Sequence, residues 1–226
     1  MSQLALPLRL EDHAVFESFW PAGNETLVAF LLDLVATSHG PGCWLWGSPA
    51  TGKSHLLQAV CERLGDRAVF LPLQDLESVG PEILQGLAAR DFICLDDIHS
   101  VASDSEWQHA LFDLYNRISD TGSVLVVSAD ATPRDSNFKL PDLQSRFALL
   151  PAFHLRPMPE LERQKALQLR AHHRGIDLPD DTARYLITRS KRDMSSLYTL
   201  LDKLDSESLA AKRRLTIPFV KGVMES

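Results

Sequence analysis

The chain has 226 residues, 45% of them hydrophobic and 23% charged, which excludes a disordered polymer and leaves room for one core, or for a core with a small second domain. The 30 Asp and Glu against 23 Lys and Arg give a formal net charge of -7, which excludes a general basic surface for DNA or anionic lipid but leaves local patches open. Cys43, Cys61 and Cys94 lie far apart without C-x-x-C spacing, and no run approaches the roughly 20 apolar residues of a membrane helix, so a disulfide framework, a zinc site and a membrane span are excluded and reduced cytoplasmic thiols are expected.

In chain order, residues 1–10 (Met-Ser-Gln-Leu-Ala-Leu-Pro-Leu-Arg-Leu) form a short apolar tail broken by Pro7. Leu27, Phe30, Leu31, Leu34 and Val35 recur at helical spacing after Asn24, an N-cap candidate, and predict a helix over 27–36. Short apolar runs at 43–46, 68–71, 92–95, 124–127 and 153–155 read as buried parallel strands, because such strands are apolar on both faces. Helix-like segments at 53–64, 81–89, 106–119 and 140–147 separate them, so the expected fold class is α/β, a parallel five-stranded sheet between helices. From residue 157 the strand texture stops, and 160–174, 180–190, 194–211 and 217–224 predict a small all-helical lid. The expected division is a tail at 1–10, a nucleotide-binding core at 11–156 and a helical lid at 157–226.

The chemistry concentrates at Gly47-Ser48-Pro49-Ala50-Thr51-Gly52-Lys53-Ser54, which matches G-x-x-x-x-G-K-[ST] between a predicted strand and a predicted helix. Glycines there let successive backbone N–H groups and a helix N-terminus turn toward phosphate oxygens. Lys53 then reaches the β and γ phosphates, and the Ser54 hydroxyl is a Mg²⁺ ligand. Phe92-Ile93-Cys94-Leu95 runs into Asp96-Asp97: Asp96 is the candidate partner of Mg²⁺, and Asp97 the candidate for orienting an attacking water. Ser128-Ala129-Asp130 ends the fourth run, and Asp130 there is either a γ-phosphate sensor or part of a simple turn before Pro133. Arg146, in Leu143-Gln144-Ser145-Arg146-Phe147, is either a solvated surface cation or a charge for a neighbouring subunit's nucleotide site.

Taken together, residues 47–57, Leu95-Asp96-Asp97-Ile98, 128–133 and Ser145-Arg146-Phe147 resemble the AAA+ domain of the bacterial replication initiator DnaA, over roughly residues 11–210. The resemblance implies bound ADP or ATP with Mg²⁺, carries nucleotide contacts to the 47–54 loop and His55, and sets Trp20 and Asn24 in the segment beside the adenine. Two departures narrow it. The initiator continues into a helix-turn-helix domain for which this sequence leaves no room before Ser226, so sequence-specific DNA binding is not expected. The added tail, with Gln3, Leu4, Leu6, Pro7 and Leu8, resembles the Q-L-x-L-P-L peptide that docks in the apolar pocket of the DNA polymerase III sliding clamp. Both features resemble the Hda family of DnaA-related regulators. That resemblance implies a negative regulator of replication initiation, tethered to the clamp, that promotes hydrolysis of DnaA-bound ATP with Arg146 as an arginine finger in trans. A homodimer or head-to-tail oligomer fits the same family.

The alternative is a stand-alone AAA+ ATPase of the helicase-loader or chaperone type. The lid position where DnaA carries a phosphate-contacting Arg is Ser195 here, with Arg192 one turn earlier; with Asp97 in place of a longer Glu, this predicts slow turnover by the chain itself. The adjacent His172 and His173 would point in different directions on a helix, and Lys212-Arg213-Arg214 reads as a helix-end cap, so neither is singled out as a site.

Overall fold

A strand that is apolar on both faces can be buried only in a sheet covered on two sides. Five runs of this chain are built that way and become β1 (Cys43–Trp46), β2 (Ala68–Pro72), β3 (Phe92–Asp96), β4 (Val124–Ala129) and β5 (Ala152–His154). The computed structural model describes residues 14–189, 194–211 and 213–225. All strand pairs are parallel, in the order β2-β3-β4-β1-β5. The interior strands β3 and β4 are buried along their whole length, whereas the edge strands β2 and β5 are half exposed.

By internal contacts the chain forms two units, Asn24–Arg156 with residues 14–16, and Glu17–Gly23 with the residues from Pro157 on. In the first unit the helices are α1 (Glu25–Thr37), α2 (Lys53–Leu64), the single turn α3 (Leu73–Leu76), α4 (Ser105–Thr121) and α5 (Pro141–Phe147). Strand alternation divides the side chains. Trp44, Ile93, Leu95, Leu125 and Val127 share one core with Trp107, Leu111 and Leu114 of α4 and Leu143 and Phe147 of α5. On the other face α2 packs against β2, β3 and β4. All three cysteines are free and buried. Helix α4 begins where Asp104 Oδ1 accepts from the amides of Glu106 (2.8 Å) and Trp107 (3.1 Å) and ends at Gly122, left-handed at φ +75°, as a capped helix should.

Three local expectations are corrected. Residues 81–89 are two 3₁₀ turns, Pro81–Leu84 and Leu87–Ala89, because Gly86 between them is left-handed (φ +80°) and interrupts any helix. The fifth strand lies one residue earlier than 153–155. Asn24 stands at the N-cap position of α1 but its side chain does not cap; instead its Oδ1 accepts from the Arg156 amide (2.8 Å) and its Nδ2 donates to the Arg156 carbonyl (3.2 Å).

The second unit holds α6 (Arg163–His173), α7 (Asp180–Arg189), α8 (Met194–Ala211) and α9 (Ile217–Glu225), led by a 3₁₀ turn at Glu160–Glu162. Ala166, Leu167, Leu186, Leu197, Leu201, Leu204 and Val220 form its core. Residues 17–23 belong to this unit rather than to the first: Trp20 packs against its core, and the indole N–H donates to Glu162 Oε2 at 3.0 Å. No helix among the described residues is long and apolar enough to cross a membrane.

Candidate functional site

The strand order brings the three sequence motifs to one end of the sheet. They follow β1, β3 and β4, which are neighbours, and the C-terminal ends of adjacent parallel strands are where α/β sheets bind ligands. The loop after β1 is fixed at its start by the Gly47 amide on the Ala129 carbonyl (3.3 Å), where a Cβ on residue 47 would stand 2.5 Å from the Leu155 carbonyl oxygen. Ala50 (φ +60°) and Gly52 (φ +99°) take left-handed conformations that curl the loop, and Thr51 Oγ1 closes it on the Ser48 carbonyl (2.9 Å). The curl delivers residue 53 as the first turn of α2, so the helix N-terminus faces the loop's interior. Lys53 is buried, and its ammonium donates to the carbonyls of Gly47 (2.9 Å) and Ser48 (3.2 Å).

Asp96 is the last residue of β3 and only 4% exposed. Its carboxylate accepts from the hydroxyl of Ser128, on the adjacent strand β4, and the Ser54 hydroxyl stands near enough to favour its charged form. Burial raises its pKa above the usual carboxylate range, with Asp97 adding to the rise, while the Ser128 and Ser54 hydrogen bonds and Lys53 hold it down. Burial likewise lowers the Lys53 pKa, opposed by Asp97, Asp96 and Asp130 in that order. The fold therefore gathers Lys53, Ser54, Asp96, Asp97 and Asp130 into one electrostatic neighbourhood. The Ser54 hydroxyl and the Asp96 carboxylate are hard oxygen donors of the kind that hold Mg²⁺ together with substrate phosphates. Among the described residues no group of three or more His, Cys, Asp or Glu could hold a metal ion, so a metal here would rely on oxygens brought by its ligand.

Asp97 takes a left-handed conformation (φ +50°), its amide donates to Ser128 Oγ (2.9 Å), and its Oδ1 lies 4.0 Å from His99 Nδ1. Of the Ser128-Ala129-Asp130 stretch that ends the fourth apolar run, it is Ser128, fully buried within β4, that points at the acids. Asp130, just beyond the strand, is exposed.

Arg146 takes no part in these hydrogen bonds. Helix α5 is anchored by Leu143 and Phe147, one turn apart on its buried face, and the Phe147 ring meets Trp44 (centroids 5.2 Å), Phe138 (5.3 Å) and Tyr115 (6.2 Å). The approach to the helix is held by buried Gln108, whose Oε1 accepts from the amides of Lys139 (2.7 Å) and Leu140 (2.8 Å). The outward face carries Ser145 and Arg146, and Leu149 beyond it is 67% exposed. Arg146 makes no side-chain hydrogen bond or ion pair with any described residue, so an anchored helix presents a charge that no described side chain neutralises.

A family model described as Hda, lid domain, matches residues 160–224, and one described as the bacterial DnaA ATPase domain matches residues 79–149. The chain is a DnaA-related AAA+ protein of the Hda type. Among solved structures, domain III of the Thermotoga maritima replication initiation protein DnaA is similar with a TM-score of 0.77 and 20% identity, covering 96% of this chain and 98% of that one. AMPPCP-bound DnaA from Aquifex aeolicus gives a TM-score of 0.69 at 18% identity, over 85% of this chain and 65% of that one. The Thermotoga maritima RuvB Holliday junction branch migration motor gives 0.57 at 17%, over 90% and 69%. These likenesses carry the fold, an AAA+ sheet followed by a helical lid.

In this Hda-type chain the remaining expected contacts fall as follows. His55 Nε2 donates to the Val15 carbonyl (2.9 Å), tying α2 to the segment before α1, and Asn24 engages the Arg156 backbone as described. Trp20 lies in the lid unit, where Lys165 Nζ stands 5.7 Å from its ring. Gln3, Leu4, Leu6, Pro7 and Leu8, with Arg192 and the side chain of Ser195, lie outside the described residues.

A buried carboxylate without a full counter-charge costs stability that its function requires. Asp96→Asn keeps an oxygen for Ser128 and removes the charge. We expect the nucleotide-free variant to melt higher, by about 2–4 °C for each 1 kcal/mol gained in a chain of this size, and its Mg²⁺-dependent nucleotide affinity to fall. Calorimetry with a parallel binding titration checks both, and a lower melting temperature would contradict the assigned burial cost.

Proposed function

We propose that this chain is a nucleotide-bound regulator of replication initiation that tethers to the sliding clamp through Gln3, Leu4, Leu6, Pro7 and Leu8 and promotes hydrolysis of DnaA-bound ATP by supplying Arg146 in trans. The observation that carries this reading is the division of labour in the core. Lys53, Ser54, Asp96 and Asp97 converge on one loop, while Arg146 stands outside that cluster on an anchored helix with no partner among the described residues. A cation held this way suits the phosphates of another chain's site, where a fixed charge stabilises the transferring phosphoryl group.

Within the chain's own site, ADP or ATP takes its phosphates on the 47–54 loop amides and the Lys53 ammonium, and Ser54 and Asp96 are the residues that would hold Mg²⁺. When bound, Mg²⁺ neutralises phosphate charge and so strengthens nucleotide retention. In this reading Asp97 orients water and Asp130 faces the terminal phosphate. In this reading the resident nucleotide sets the shape of the regulator, and turnover by the chain itself is slow.

The intact set of Lys53, Asp96 and Asp97 also supports a second reading, a stand-alone ATPase of the loader or chaperone type. Single-turnover hydrolysis separates the two. Radiolabelled ATP preloaded on DnaA should be consumed rapidly when this chain and DNA-loaded clamp are added, whereas ATP preloaded on this chain alone should persist; the opposite pattern supports the stand-alone ATPase.

A further inference from the structure

Ser128 spends its hydroxyl on both acids of the site. Its one donor goes to Asp96 Oδ1, and its oxygen accepts the Asp97 amide at 2.9 Å. Parallel pairing of β3 with β4, in register through Leu95 and Val127, sets Ser128 beside Asp96 at the point where the two strands reach the site. The side chain is wholly buried, so no water can replace either bond without opening the sheet. Asp97 meanwhile holds a left-handed backbone at φ +50°, a conformation that Asp tolerates better than most residues and that the hydrogen bond from its amide to Ser128 favours here.

We propose that Ser128 is the positioning residue for both acids: its hydroxyl sets the Asp96 carboxylate toward Ser54 and, through the Asp97 amide, holds the left-handed turn that aims the Asp97 side chain. This rests on the reading of the site as one for Mg²⁺ and nucleotide, and it assigns Ser128 a role separate from any phosphate contact by Asp130. Its consequence is selective. Loss of the hydroxyl frees the Asp96 carboxylate to rotate away from Ser54 and relaxes the turn at Asp97, while the 47–54 loop and Lys53, which hold the phosphates, keep their own hydrogen bonds. The metal dependence of nucleotide binding should therefore change far more than nucleotide binding without metal.

The test uses the full chain as wild type, Ser128→Ala and Ser128→Cys, the last keeping the volume with a weaker donor. Amide hydrogen exchange at Asp97 is followed by NMR without nucleotide, and binding of a fluorescent ADP is titrated in EDTA and against Mg²⁺. Losing one charge-assisted hydrogen bond corresponds to about a tenfold effect or more. We expect Ser128→Ala to speed Asp97 exchange about tenfold and to raise the half-saturating Mg²⁺ concentration about tenfold, with affinity in EDTA within twofold of wild type; Ser128→Cys should move the same two quantities by less. Unchanged Asp97 exchange and Mg²⁺ dependence, or equal loss of affinity with and without Mg²⁺, would overturn the proposal. Wild-type protein that binds no nucleotide would instead remove the reading of the site on which the proposal stands.

Discussion

Arg146→Ala should bind nucleotide and clamp as wild type does and yet fail to accelerate hydrolysis of DnaA-bound ATP, with a loss of about 10³–10⁵ in the stimulated rate, the range of an arginine finger supplied in trans. The structure explains why the defect should be confined to the partner's chemistry. Arg146 is exposed, bonds to no described residue, and lies on a helix whose attachment depends on Leu143, Phe147 and Gln108 instead. Removing its guanidinium leaves those contacts in place and costs the fold about 0.5 kcal/mol or less, as for other surface substitutions. Arg146→Lys should recover little, since a flexible ammonium does not reproduce a planar fork aimed at phosphate. A stimulated rate within threefold of wild type for Arg146→Ala would refute the finger assignment.

Lys53→Ala should lose nucleotide. Two charge-assisted hydrogen bonds to phosphate are worth about 3 kcal/mol together, so affinity for a fluorescent ADP should fall by about a hundredfold. The same substitution removes the cation that Asp96, Asp97 and Asp130 face and leaves three carboxylates to repel one another, so the loop after β1 should loosen as well. A titration at fixed Mg²⁺ measures the first effect. Wild-type affinity in the variant would contradict the assignment of this loop as the phosphate site.

The phosphate loop was legible from sequence because its requirements are local: glycines at fixed offsets, a lysine and a serine opening a helix, and a buried strand just before. Asp96 and Asp97 were legible for the same reason, as acids ending an apolar run. What escaped depends on partners far along the chain. Ser128 acts on residues 31 and 32 positions earlier, and only the pairing of β3 with β4 tells which polar residue of Ser128-Ala129-Asp130 meets the acids. Asn24 has a capping residue's identity and position, yet its amide is drawn to the Arg156 backbone 132 residues away. Trp20 precedes the core in sequence but joins the helical unit through Glu162, a contact that no local pattern announces. In 81–89, helix-like spacing lost to Gly86.

The most direct test of the central claim is hydrolysis of DnaA-bound ATP in the presence of DNA-loaded clamp, measured with the intact chain and with a variant lacking residues 1–9. The account predicts rapid hydrolysis with the intact chain and only the basal rate with the truncated one, while both bind nucleotide equally. Equal rates with the two proteins would contradict the tether, and no acceleration by either would contradict the assignment of DnaA as the partner.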